Sequence, residues 1–143
     1  MEQRDERGAV RVGMAWGGIG GVVGFLASLL GSLVGILVAG FVGLACGRRA
    51  AEAGKRAGAL SGLVAGAVAA PVFVIGASAG ALVAARWIGS SRIAATLSEV
   101  VGTRVSPDEA WRIFLLSIAV AAVFQAVVLI LASTAAGAWA TRK

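Results

Sequence analysis

The chain has 143 residues, of which 59% are hydrophobic and only 14% charged, with a formal net charge of +6. That balance, with uncharged runs far longer than eighteen residues, rules out a soluble core and indicates an integral membrane protein. Histidine and tyrosine are absent and Cys46 is the one cysteine, which excludes intrachain disulfides, zinc sites and His-ligated haem.

The positive charge must lie in tails and loops, because the apolar runs carry none. Its natural partners are the bilayer and its anionic head groups. Nucleic acid is not expected, since no soluble module or aromatic stacking platform accompanies the charge.

Residues 1–11 read as a charged cytoplasmic tail, with Arg4, Arg7 and Arg11 against Glu2, Asp5 and Glu6. The mixed charge and the very long apolar stretch that follows argue against a signal peptide. Val12 to Cys46 contains no charge. As one helix it would run roughly 50 Å, too long for a hydrocarbon core of about 30 Å. Two helices, 12–30 and 32–47, fit better, with Gly31 ending the first and Ser32 capping the second.

Small residues recur along both helices at helical spacing. The first carries Gly13, Gly17 and Gly21, crossed by Gly20 and Gly24; the second carries Gly31 and Gly35, then Ala39, Gly43 and Gly47. Leu44-Ala45-Cys46 has the shape of a lipoprotein box but stands far from the N-terminus, so Cys46 reads as a small packing residue. Arg48, Arg49, Lys55 and Arg56 then form a basic, Ala-rich segment suited to lipid head groups, with much of it expected to be helical.

The third helix is expected over 57–85. It continues a glycine row, Gly54, Gly58, Gly62 and Gly66, that would weaken a helix in water. In lipid the backbone must satisfy its own hydrogen bonds, and such a row becomes a groove for close helix contact. The short loop before it suggests that the neighbour is the second helix, through Ala39, Gly43 and Gly47. Pro71 falls inside the third helix and is expected to kink it.

Residues 86–106 read as an external connection. Within it Ile93, Leu97, Val100 and Val101 share a face, opposite Ser91, Arg92 and Glu99, and Gly102 offers a stop. A short amphipathic helix on the membrane surface is expected there. Ser106-Pro107-Asp108-Glu109 is a complete capping box that opens the last helix, 107–140.

The expected fold is therefore all-α: one membrane domain over 1–143, with four transmembrane helices and a short amphipathic helix between the third and fourth. Four spans place nine basic residues on one side and four on the other, which favours cytoplasmic termini in the cell membrane. Trp16, Trp87, Trp111 and Trp139 each fall near a helix end and read as interface anchors.

The Gly-rich first span, the second span ending GFVGLACGRR and the following GALSGLVAGA resemble small uncharacterised glycine-zipper membrane-protein families of bacteria and archaea. The resemblance covers Trp16 to Ala70. It implies a four-helix membrane domain and brings no known activity.

The apolar stretches of the spans contain no charged residue to serve as an ion-coupling site, and Asp108 and Glu109, the one candidate acid pair, are explained by the cap of the last helix. Enzymatic activity and cofactors are accordingly not expected. Gln125 is the strongly polar mid-span residue and reads as an interhelical hydrogen-bonding group. The function expected is a structural or accessory membrane protein, packing through small residues into a homo- or hetero-oligomeric complex. A passive pore or small-solute transporter is the alternative.

Overall fold

The computed structural model describes residues 2–53 and 58–141. Five helices account for nearly all of them: α1 (Glu2–Leu30), α2 (Ser32–Ala53), α3 (Gly58–Ile88), α4 (Ser90–Val101) and α5 (Pro107–Ala140). Among the described residues there is no strand. Four of the helices, α1, α2, α3 and α5, are long and apolar enough to cross a membrane.

The helix bounds follow local chemistry. Gly31 alone separates α1 from α2, with φ of 125°, a turn that a side chain would strain. Ser32 is the first helical residue rather than the cap, since the Gly31 carbonyl accepts from the Gly35 amide at 3.3 Å. Gly102 stops α4 in the left-handed conformation, with φ of 73°. At the start of α5 the Glu109 amide donates to Ser106 Oγ at 3.2 Å, and the Ser106 amide donates to Glu109 Oε2 at 3.1 Å. The capping box is thus complete, with Pro107 at the first helical position.

The N-terminal segment is more helical than the sequence suggests. The charged segment read as a tail belongs to α1, which begins at Glu2. Its residues up to Arg7 have no Gly or Pro, and Glu, Gln and Arg are good helix formers. The basic segment is helical as expected where it is described, since α2 continues through Arg48 and Arg49 to Ala53; α3 runs three residues past Ala85 to Ile88. Pro71 lies within α3, which remains a single helix through it.

The four long helices form one bundle. At one end α1 begins beside the end of α2, where Gly8 faces the Ala53 carbonyl, and α3 begins beside Gly137 of α5. We call this the terminal end; α4 lies at the other. The α1–α3 and α2–α5 pairs run parallel. Gly13, Gly17 and Gly21 meet Ala65, Ala69 and Val72 in turn, while Gly35, Gly43 and Gly47 meet Gln125, Leu129 and Ser133. The α3–α5 pair is antiparallel, and the backbones of α1 and α5 do not meet. The core consists mainly of small residues, with Ala39, Cys46, Ala50, Ala65 and Ala69 fully buried around Phe73 and Leu129.

Candidate functional site

The glycine row of α3 faces α5, not α2. A Cβ at Gly58 would meet the Gly137 carbonyl, one at Gly62 the Ser133 carbonyl, and one at Gly66 the Ser133 side chain at 2.9 Å. The expectation of an α2 neighbour is thus corrected. Gly43 and Gly47 also turn to α5, against Leu129 and Ser133. A short connection makes α2 and α3 consecutive without choosing which small-residue face each presents, and α5 occupies the groove between them. Ala39 is fully buried in the core. Gly17 and Gly21 lie against Ala69 and Val72 of α3. Gly54 falls outside the described residues.

Ser133 is the junction of these contacts. It is fully buried, and its hydroxyl donates to the Gly62 carbonyl at 2.7 Å. Its own carbonyl faces both Gly47 and Gly62, so three backbones converge on one residue. Nothing in the sequence set Ser133 apart from the other small hydroxyl residues of α5. Its position opposite two glycine rows becomes visible only in three dimensions.

Gln125 is the other buried polar side chain among the described residues, 5% exposed. It rests on α2 at Gly35, where a Cβ would stand 2.7 Å from its amide nitrogen. Glycine therefore makes room for the amide. Among the described residues no hydrogen bond joins the Gln125 side chain to another helix. Gln125 also lines a cavity of about 480 Å³.

That cavity lies in the α4 half of the bundle, between the end of α1, the second half of α3 and the first half of α5. Its walls are mainly Ala, Leu and Ile, with Ile93 of α4 and Phe114 of α5 towards the outer end. Ser28, Ser78 and Ser117 add hydroxyls. Ser28 and Ser117 donate to the carbonyls of Gly24 and Ile113 in their own helices, at 2.7 and 2.9 Å. Their oxygens keep free lone pairs. From Phe114 to Gln125 the cavity follows α5 for about 16 Å at a rise of about 1.5 Å per residue. No charged residue lines it. Towards the terminal end, the fully buried Phe73, Leu129 and Ser133 fill the bundle.

α4 is held over this end by Ser98. Its hydroxyl donates to the Ala94 carbonyl at 2.7 Å and accepts from the Val105 amide at 2.9 Å, tying the helix to the entry of α5.

The basic residues lie at the ends. Arg48 and Arg49 are exposed near the end of α2, where Arg49 approaches Glu52 at 4.0 Å. Lys55 and Arg56 lie outside the described residues. The tryptophans divide into two kinds. Trp87 and Trp139 are exposed, 81% and 74%. Trp16 packs partly on the core beside Arg48 and Arg49, and Trp111 stacks on Phe114 at 5.7 Å between ring centres.

No known protein family, curated protein or solved structure matches this chain.

Proposed function

We propose that this chain is a structural or accessory integral membrane protein of the cell membrane, a subunit of a homo- or hetero-oligomeric assembly. The observation that carries the reading is the use of the small residues. Glycine rows on α1, α2 and α3 are consumed inside the bundle, which leaves a preformed body with large apolar side chains outside. Leu33, Leu37 and Phe41 on α2 and Leu116, Val120 and Phe124 on α5 are all exposed. Partners and lipid therefore meet these bulky outer faces, while the glycines act within the chain. This moves the docking surface away from the glycine rows.

Arg7, Arg11, Arg48 and Arg49 share the terminal end, and Arg86, Arg92, Arg104 and Arg112 the α4 end. With the tail and basic segment added, the balance of charge supports cytoplasmic termini. The Arg48–Arg49 region beside Trp16 suits anionic head groups.

The pore alternative has one observation in its favour, the polar Gln125 in a cavity. Phe73, Leu129 and Ser133 stand against it, because they fill the bundle beyond that cavity. Extraction in mild detergent tests the accessory reading. A stable particle larger than the monomer, containing further copies or a second membrane protein in fixed ratio, is expected. A monodisperse monomer, with solute flux in liposomes that depends on Gln125, would favour the pore.

A further inference from the structure

We infer that the α4-capped cavity is a binding site for a compact, uncharged molecule with an apolar body and one group that both donates and accepts hydrogen bonds. A carboxamide fits this description best. The deciding feature is Gln125, which is 95% buried by its 5% exposure, has no hydrogen-bonding partner among the described residues, and lines the cavity. Among the described residues no buried side-chain nitrogen or oxygen lacks a partner, so the unpaired amide keeps accessible surface, where a molecule in the cavity can reach it. That amide offers two N–H donors and a carbonyl acceptor. A ligand carboxamide offers the complementary pair, an acceptor oxygen and donor N–H groups.

The remaining surface fixes the rest of the ligand. The walls carry no charge, so an ionised molecule would enter without a counter-charge. The outer part is apolar, with Ala84, Ile88, Ile93 and Phe114 around it. A volume of about 480 Å³ lies within the common range for small-molecule sites. The polar group therefore sits deep, against Gln125, and the apolar body points towards α4. A bilayer lipid prefers the reverse, its head at the surface, so the geometry selects a small solute over a membrane lipid.

The probes are 4-bromobenzamide and 4-bromotoluene, similar in shape but differing in the amide. Bromine quenches indole fluorescence, and Trp111 stacks on the cavity-lining Phe114. The full chain, with Trp16, Trp87 and Trp139 changed to Phe, is placed in lipid nanodiscs. Saturable quenching of Trp111 by 4-bromobenzamide is expected, at least tenfold weaker in Gln125→Met. Any quenching by 4-bromotoluene should be unaffected by that change. Ala121→Leu fills the cavity from α5 without altering Gln125, and should abolish saturable quenching by both probes. Quenching that never saturates, that is equal with and without Gln125, or that survives Ala121→Leu in a folded protein overturns the proposal.

Discussion

The hydroxyl of Ser133 on α5 donates a 2.7 Å hydrogen bond to the carbonyl of Gly62 on α3. That carbonyl also belongs to the α3 backbone ladder, so the bond is an addition to it rather than a replacement. Bonds of this kind between membrane helices contribute about 0.6 kcal/mol on average and seldom reach 2 kcal/mol. Ser133→Ala is therefore expected to cost about 0.5–1 kcal/mol in detergent unfolding. A loss several times larger would mean that Ser133 holds more than this contact.

Gly62 should be far less tolerant. A Cβ there would run into the Ser133 carbonyl, a backbone atom that cannot rotate away. Gly62→Ala is expected to destabilise by about 1–3 kcal/mol and Gly62→Leu by more, because α3 and α5 must separate. Leu63 is exposed on another face, and Leu63→Ala should be mild where lipid fills the vacated space. The comparison is read from thermal unfolding of the three variants in one detergent.

The cap of α5 makes a local prediction. Ser106→Ala removes the acceptor for the Glu109 amide and should cost about 1 kcal/mol. Pro107→Ala keeps that bond and should cost less. A reversed order in thermal unfolding would contradict the role assigned to the box.

Gln125 separates two accounts of its amide. If it were an interhelical bond, Gln125→Met would lose about 1 kcal/mol. With the amide unpaired, Gln125→Met should leave stability unchanged or raise it, because no hydrogen bond is lost and an apolar side chain of similar length takes its place. Chemical denaturation in the absence of added ligand distinguishes them.

Helix identity and ends were legible where one residue carries the signal. Gly31, Gly102 and the Ser106–Glu109 box each mark a boundary through their own backbone or side chain. Periodicity also located α4, since one charged face and one apolar face suffice to define it. The partner of each glycine row was not legible, because α1, α2 and α3 carry rows of the same character and spacing. Which rows meet depends on where α5 inserts, and its contact residue Ser133 is one of several small hydroxyl residues on that helix. The cavity was hidden for a similar reason. It arises because the α1–α2 turn lies below the outer ends of α3 and α5, a relation between distant segments that no window of sequence contains.

The most direct test of the four-span bundle is sided labelling of single cysteines. In a Cys46→Ala background, Ala53→Cys reports the terminal end and Thr103→Cys the α4 end; both positions are exposed. In intact cells a membrane-impermeant maleimide should label Thr103→Cys, and should reach Ala53→Cys only after the membrane is opened. Labelling of both from the same side of an intact membrane would contradict the topology.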